Sequence, residues 1–538
     1  MIALSIRKRH QMIIQRLWRA SKLAWKTRKM SGKLAGDVVT ATERMIYVEF
    51  SGIEEILVPQ WAFAMSLARN SGSRVVYYAG YVAKASQRRV EGTLRLLGSK
   101  FLQVCLARIL TGAQVYIPKT NKEIERRASL AVEEMKKEIK SRKDLESWEY
   151  SGYLVGDLLY DSYLRQNKAA TVVFNEAFWY FAQHFMRSVL CWMERIEGGY
   201  VEAVCVSHTV YSLAIPVRIG VRNNVKCFQV TDSFIYRLNS ERLFAYNDFK
   251  SLGELARLTD EKTSRVWAER AKERIEQRMH GKVGVDMSYS TKSGYHKQRL
   301  AKIIEEGEQR VVVLIAAHDF LDSPHAYGNS IFCDFWEWIN EIGKLSEDLD
   351  YKWLVKCHRD YRVESLSILR RVCEKYPRLE LINSEYSHNQ LIEEGVDLVL
   401  TVYGTIGFEY AYRGIKVVNA SLNNPHIGFS FNSNPSNKGE WIKEISQARK
   451  RSDYEKPSQE EVCLYYYLKH MHNKARRWLC SSDDKDSRHT ALLHLERLQR
   501  SMDDLSVLTH FDAYSNFVKS KDFKFGESHY TAVLTKEN

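Results

Sequence analysis

The sequence of 538 residues lacks most of the features that mark membrane, fibrous or disulfide-rich proteins. It has only 8 prolines and 27 glycines, which excludes collagen-like and low-complexity chains. Its apolar runs, such as 311–317, are far shorter than the roughly 18–20 residues of a membrane-spanning helix. The nine cysteines form no CxxC pair, so we expect reduced thiols in a cytoplasmic protein, without a disulfide framework or a bound metal.

The positive charge is concentrated at the start of the chain. Residues 1–36 hold ten Lys or Arg and no acid, so they account for 10 of the net +14 and leave +4 for the other residues. A nearly balanced body does not indicate nucleic-acid binding. Apolar and small residues repeat at helical spacing among these cations, at Ile14, Trp18, Ser21 and Trp25. The segment is therefore either a helix on an anionic membrane surface or a basic helix docked on its own domain, and it lacks the apolar core of an export signal.

Hydrophobic residues make up 45% of the chain and charged residues 27%, which is typical of a globular protein of two to four domains. Apolar segments of strand length alternate with segments of helical length, and this alternation indicates βαβ units and parallel sheets. The predicted strands are Met45–Phe50, Arg74–Tyr78, Gln114–Ile117, Ala203–Val206, Lys226–Val230, Val311–Ala317, Trp353–Lys356, Leu379–Ile382, Leu398–Val402 and Lys416–Asn419.

We therefore predict the α/β class, with two doubly wound, Rossmann-like domains that face each other across a cleft. The predicted units are a basic amphipathic helix (1–39), a first Rossmann-like domain (40–295), a second one (296–450) and a helical C-terminal region (451–538). In open α/β sheets, ligands bind beyond the carboxyl ends of the strands. We therefore expect the functional residues at those strand ends.

A glycine-containing turn, Tyr403-Gly404-Thr405-Ile406-Gly407, follows the predicted strand 398–402 and precedes a short helix. Such a turn lets backbone N–H groups approach an anion at the positive end of a helix dipole. Thr405 adds a hydroxyl donor. Glu409, in the first helical turn, either stabilises the helix N-terminus or accepts hydrogen bonds from sugar hydroxyls.

Two other groups of polar residues follow predicted strands of the second domain. Lys356 and His358 share one face of an extended strand. Either both side chains bind phosphate oxygens, or His358 is buried and the aliphatic part of Lys356 packs beside it. His318 and Asp322 lie in a segment rich in His and Asp whose spacing matches no strong metal-ligand pattern. We expect that segment to contact substrate or to form a turn.

The first domain holds the candidates for acid–base chemistry. Ser207 and His208 end the predicted strand 203–206. His208 is either a general base at the cleft or a structural histidine beside a serine that caps the next segment. Asp157, Asp161 and Arg165 share one helical face at i, i+4 and i+8. They form either a surface ion-pair ladder or an acid–base site.

Two segments together resemble a known family. VKCHRD (355–360) and LVLTVYGTIGFEYAYRGIKVV (398–418) are similar to the K-x-H-P and T-x-x-G-T-x-G-x-E-x-x-x-x-G-x-P-V motifs of bacterial capsule and surface-polysaccharide biosynthesis proteins. These are glycosyltransferases of GT-B architecture, related to the Kdo- and sialic-acid-type transferases. GDLLYDSYLR, VSHTVYSLAIPVRIG and AHDFLDSPHAYGNSIFCDFWEW also look like this group, and the resemblance spans about residues 45–425.

The resemblance implies transfer of a sugar, such as an acidic sugar from a CMP donor, onto a surface or capsular polysaccharide or its lipid-linked precursor. The second domain would then bind the nucleotide-sugar and the first the acceptor, in the cytoplasm or at the inner face of the plasma membrane. The donor-binding residues that it implies are Lys356, His358, Arg359, Tyr403, Gly404, Thr405, Gly407 and Glu409. The base would be Asp157, Asp161 or His208, and no metal or other cofactor is required.

The sequence departs from the family pattern at two places, since Arg359 and the pair Ile415-Lys416 stand where prolines are usual. Two alternatives therefore stay open. One is a CDP-glycerol-type phosphotransferase that builds a teichoic-acid-like polymer, because that group shares the fold and similar motifs. The other is a non-catalytic GT-B module that binds a glycan or scaffolds a synthesis complex.

Overall fold

The computed structural model describes most of the chain between residues 43 and 529. The described ranges are 43–49, 54–78, 115–116, 120–231, 234–244, 251–287, 292–296, 298–328, 330–357, 362–472, 505–522, 524–526 and 529. The basic segment 1–36 lies outside them, so its predicted membrane or docking role stays a prediction. None of the described helices is both long and apolar enough to span a membrane.

The first lobe is built on a six-stranded sheet in the order β3-β2-β1-β6-β7-β8, parallel except for β8. A small hairpin of β4 and β5 lies apart from it. The strands are β1 Met45–Glu49, β2 Arg74–Tyr78, β3 Val115–Tyr116, β4 Glu149–Tyr150, β5 Tyr153–Leu154, β6 Val201–Val206, β7 Lys226–Val230 and β8 Ile235–Leu238.

Helices cover both faces of this sheet, because residues of its central strands alternate between two apolar cores. Tyr47 and Val204 point into one core, whereas Ile46, Val48 and Cys205 point into the other. The helices are α1 Glu54–Ser71, α2 Lys122–Glu138, α3 Arg142–Glu146, α4 Gly156–Asn167, α5 Glu176–Glu197 and α6 Ile215–Arg222.

Two helices, α7 Leu252–Leu258 and α8 Glu261–Met279, lead to the second lobe, and Asp260 caps the second of them by accepting the Thr263 N–H. The second sheet is fully parallel in the order β11-β10-β9-β12-β13. Its strands are β9 Val312–Ala317, β10 Lys352–Cys357, β11 Leu379–Ile382, β12 Leu398–Thr401 and β13 Lys416–Asn419.

The remaining helices pack on both lobes. They are α9 Phe335–Asp348, α10 Val363–Lys375, α11 His388–Glu394, α12 Ile406–Tyr412, α13 Lys438–Ser446, α14 Gln459–Tyr466 and α15 Leu505–Lys519. Helix α15 returns to the first lobe, where Tyr514 and Phe517 share a core with Phe63 of α1 and Phe228 of β7. The guanidinium of Arg237 donates to three carbonyls at the end of α15.

Both sheets have the strand order of a doubly wound fold, so each has a point where the chain reverses its direction of progress. In the first sheet this switch point lies between β1 and β6, and in the second between β9 and β12. The predicted class of two doubly wound, Rossmann-like α/β domains is confirmed. We call the place where the carboxyl ends of these four strands and their following loops meet the interlobe junction.

Candidate active site

The first lobe brings three polar residues to the junction. Glu49 ends β1, and Ser207 and His208 follow β6. Glu49 Oε2 accepts the Ser207 backbone N–H at 2.6 Å, and Ser207 Oγ lies 2.9 and 2.8 Å from the two carboxylate oxygens. Ser207 Oγ is also 2.9 Å from His208 Nδ1. Burial raises the pKa of Glu49 to about 7, against the opposing effect of the hydrogen bonds from Ser207 and His208.

The second lobe contributes His318, which follows β9. Its Nε2 accepts the Val402 N–H at 3.2 Å and lies 3.1 Å from Thr401 Oγ1, at the end of β12. The imidazole stacks on Phe335 with ring centroids 4.7 Å apart, and Tyr403 packs against it at the same centroid distance. His318 therefore joins the ends of β9 and β12 on either side of the second switch point.

Gly404, in the turn after β12, and Gly407, in the first turn of α12, allow close packing. A Cβ on Gly404 would lie 2.9 Å from Thr401 Oγ1 and 3.7 Å from His318 Cε1. A Cβ on Gly407 would lie only 2.3 and 2.6 Å from two ring atoms of the buried His426. The Gly407 N–H donates to the Gly404 carbonyl at 3.0 Å. Packing alone thus requires Gly407, and its contact with phosphate stays a prediction, as does that of Thr405.

We expect Gly407→Ala to destabilise the second lobe by about 1–3 kcal/mol, because overfilling a close-packed site costs this much. The added methyl group would overlap the ring of His426, which is 1% exposed. Gly439→Ala is the matched control, since its added Cβ would meet Asn437 Oδ1 at 3.3 Å and no other side chain within 4 Å among the described residues. Thermal unfolding of the two variants beside the wild type measures the difference. Equal melting of all three proteins would contradict this role of Gly407.

Glu409 is held inside the protein. Arg278 of α8 donates to its Oε1 from Nε at 2.8 Å and lies 2.7 Å away through Nη2. The Tyr295 hydroxyl donates to its Oε2 at 2.8 Å. Oε1 thus fastens the connecting helix α8 to the second lobe, and Oε2 holds the segment that follows it. The predicted contact of Glu409 with sugar hydroxyls stays a prediction.

Lys356, near the end of β10, is also buried, and its Nζ donates to the Ser384 carbonyl at 2.9 Å. His358 and Arg359 lie outside the described residues. The predicted binding of the donor phosphate by these three side chains stays a prediction.

The two aspartates of α4 are buried rather than arranged as a surface ladder. Asp157 Oδ2 lies 2.6 Å from Arg218 Nη2, also buried. Asp161 contacts the second lobe. Its Oδ1 lies 2.6 Å from His325 Nδ1, and its Oδ2 accepts a hydrogen bond from the Ser323 hydroxyl. Burial raises the pKa of Asp161. Burial acts to lower the pKa of His325, but Asp161 outweighs it and the pKa rises to about 9.

Arg165 is the exposed member of the same helical face, with 45% of its side chain accessible. Its Nη1 donates to the Tyr211 hydroxyl at 2.9 Å, and that hydroxyl donates to Asp322 Oδ1 of the second lobe at 2.7 Å. Tyr211 has a φ of 57°, a strained backbone for a non-glycine residue. Both Arg165 and Asp322 act electrostatically on half-buried His208, whose pKa is lowered by burial and by Arg165.

Sequence reasoning did not single out Glu49, Tyr211 or His325. The signal for Glu49 is that it is the only acid in the apolar strand MIYVE. The other two could be found only through their partners, which are distant in sequence.

The junction therefore combines an imidazole and a guanidinium that reach solvent with a buried carboxyl whose pKa lies near neutrality. These groups can take up a proton and pair with an anionic group of a ligand. In the described part of the chain, no three His, Cys, Asp or Glu side chains are grouped as metal ligands.

No protein-family model matches this chain, and no curated protein sequence matches it. Solved structures to which it is similar include MnaA of S. aureus with UDP, at 10% identity over 90% of this chain and 100% of the other, with a TM-score of 0.27. HepE of Anabaena with UDP and glucose has 10% identity over 86% and 100%, with a TM-score of 0.24. UDP-GlcNAc 2-epimerase of Neisseria meningitidis with UDP-GlcNAc has 10% identity over 79% and 96%, with a TM-score of 0.23. Similarity at this level supports no assignment of function.

Proposed function

We propose that this protein is a glycosyltransferase of GT-B type that uses a nucleotide-activated sugar. The observation that carries the proposal is the interlobe junction, where polar residues of both switch points meet through the Tyr211–Asp322 and Asp161–His325 contacts. In doubly wound sheets, the crevice beyond the switch point is where ligands bind. Two such crevices that face each other suit a reaction between a donor and an acceptor.

The donor nucleotide is assigned to the second lobe. Support comes from the turn Tyr403-Gly404-Thr405 beside His318 at the β9/β12 switch point, and from the motif resemblance of the same segment. During glycosyl transfer the anomeric carbon becomes oxocarbenium-like while negative charge grows on the leaving phosphate. Backbone N–H groups and nearby cations of the second lobe would stabilise that charge.

His208 is the base that the geometry favours among the three candidates. Asp157 and Asp161 are both engaged in buried pairs, with Arg218 and His325 respectively. His208 is half-buried and faces the exposed Arg165. It would take the proton of the acceptor hydroxyl as that oxygen attacks the anomeric carbon.

An acidic sugar from a CMP donor, transferred to a surface or capsular polysaccharide or its lipid-linked precursor, is the substrate class that we propose. Arg165 supports this choice of donor. Its guanidinium is partly exposed and lies beside His208, and a guanidinium binds a carboxylate through two parallel hydrogen bonds. The basic segment 1–36 would bring the enzyme to lipid-linked acceptors at the inner face of the membrane.

A screen of CMP, CDP, UDP and GDP by thermal melting tests this function. We expect one nucleotide to raise the melting temperature, because a ligand of the native state at 100 times its Kd stabilises by about 2.7 kcal/mol. The free nucleosides are the control, since they lack the phosphate that the second lobe is proposed to hold. Turnover of a CMP-sugar or of CDP-glycerol then separates glycosyl transfer from glycerophosphate transfer. Absence of any shift or turnover would contradict an enzymatic role.

A further inference from the structure

Glu49 is a deeply buried acid at the interlobe junction, with 2% of its surface exposed. Removing a carboxylate from water is costly unless hydrogen bonds replace the lost solvent. Ser207 supplies them from its backbone N–H at 2.6 Å and from its hydroxyl, which lies within 2.9 Å of both carboxylate oxygens. Glu49 also accepts a hydrogen bond from the His208 backbone N–H, but its link to the His208 imidazole runs through the Ser207 hydroxyl.

The Ser207 hydroxyl has one hydrogen, for which Glu49 and His208 Nδ1 compete. When Glu49 is ionised, the carboxylate accepts this hydrogen, and Ser207 Oγ must then accept from His208 Nδ1–H across the 2.9 Å contact. A neutral imidazole carries only one N–H, so Nε2 keeps its lone pair. No side chain or backbone group in the described part of the chain is hydrogen-bonded to this Nε2.

We propose that Glu49 is a positioning residue that acts through Ser207 to hold His208 in the tautomer whose Nε2 accepts the acceptor proton. The inference rests on the glycosyltransferase function proposed above. In the step, the acceptor oxygen bonds to the anomeric carbon while the bond from that carbon to the donor phosphate oxygen breaks, and its electron pair leaves with the nucleotide. The acceptor proton moves to Nε2 of His208. The resulting imidazolium donates from Nδ1 to Ser207, whose hydroxyl donates to the Glu49 carboxylate.

The charged and titratable neighbours fit this arrangement. Tyr78 of β2 faces Glu49, and burial together with that carboxylate raises the pKa of Tyr78 well above its ordinary value, so it stays neutral. Arg165 of α4 and Asp322 of the loop after β9 face His208 with opposite charges. Burial and Arg165 lower the pKa of His208 and keep it neutral, whereas the pKa of Glu49 is about 7. Ionisation of Glu49 would thus set the acid limb of the rate profile.

The test is the tautomer of His208 in Glu49→Gln, read by 15N NMR of histidine-labelled protein, with His208→Asn identifying the signal. In the wild type above pH 7 we expect Nε2 to be the unprotonated nitrogen. In the variant, the Gln oxygen accepts the Ser207 N–H and its NH2 group donates to the hydroxyl, so that Ser207 donates to Nδ1. The unprotonated nitrogen then becomes Nδ1. An unchanged tautomer would overturn the proposal.

Transfer kinetics give a second readout. In Glu49→Gln and Ser207→Ala we expect kcat to fall on the order of 10²-fold at unchanged donor KM, with the acid limb moving below pH 7 in the former. Glu202→Gln in β6 is the matched control, because that carboxylate pairs with Lys226 at 2.6 Å, away from Ser207. Wild-type protein that neither binds nucleotide nor transfers sugar contradicts the proposed function, while the tautomer remains measurable. Normal transfer by both variants contradicts the role of Glu49 alone.

Discussion

His208→Asn is expected to lower the rate of sugar transfer by about 10²–10⁴-fold, the usual contribution of a general base. Asparagine keeps a hydrogen-bonding group of similar reach toward Ser207 but has no site that accepts a proton at neutral pH. The rate should fall without loss of nucleotide binding, because the proposed donor site lies on the other lobe. Steady-state kinetics with a CMP-sugar and a glycan acceptor measure the rate, and the melting shift measures binding.

His280→Asn is the matched control for this prediction. His280 is exposed at the end of α8, where its Nδ1 lies 2.7 Å from the Glu276 carbonyl. Its loss should leave transfer at the wild-type rate. Transfer by His208→Asn at that same rate would remove His208 as the base and return the choice to Asp157 and Asp161.

Asp161→Asn is expected to destabilise the contact between the lobes by about 3–5 kcal/mol below pH 6.5. Burial lowers the pKa of His325, but Asp161, followed by Glu146 and Asp157, raises it from 6.5 to about 9. Loss of one partner of a buried ion pair costs about 3–5 kcal/mol. Asparagine preserves the shape of the side chain and a partner for Ser323. It removes the charge that stabilises the buried imidazolium.

The sign of the pH dependence follows from the direction of the shift. A histidine whose pKa is raised on folding contributes its full stability below pH 6.5 and loses it as the pH rises through about 9. The difference between wild type and Asp161→Asn should therefore be largest on the acid side and shrink toward pH 9. Urea unfolding of both proteins at several pH values measures the difference in the free energy of unfolding.

Glu364→Gln provides the comparison, because it removes the Lys168–Glu364 ion pair between the same two lobes in a solvent-exposed setting. Exposed pairs contribute about 0–1 kcal/mol, so its effect should be small at every pH. If Asp161→Asn lowered the free energy of unfolding by the same amount at every pH, the aspartate would act through packing and not through its charge.

Most of the fold could be predicted because its strands are buried on both faces and are therefore continuous apolar runs. Arg74–Tyr78, Lys226–Val230, Leu379–Ile382 and Lys416–Asn419 have the same limits in sequence and structure. The antiparallel strand Ile235–Leu238 was not predicted, since IYRL is short and interrupted by Arg237. Helix α15 lies within the predicted helical region 451–538, but its packing on the first lobe was not predicted, because its partners in α1 and β7 are distant in sequence.

The positions of the candidate residues were predictable to a smaller extent. The rule that ligands bind beyond strand ends led to Ser207, His208 and Asp322, and all three lie at the interlobe junction. The partner of each side chain could not be predicted. Glu49 and Ser207 are 158 residues apart, and such a pairing depends on how β1 and β6 align in the sheet and not on any local pattern.

The return of α15 to the first lobe means that the polypeptide passes between the lobes twice. One proteolytic cut in either passage would leave the two lobes of the protein connected through the other. A gene fragment that ends before residue 505 would leave the aromatic rings of Phe63 and Phe228 without the cover that Tyr514 and Phe517 provide. The first lobe is thus built from two separate stretches of the chain, and expressing it alone requires both, joined or supplied together.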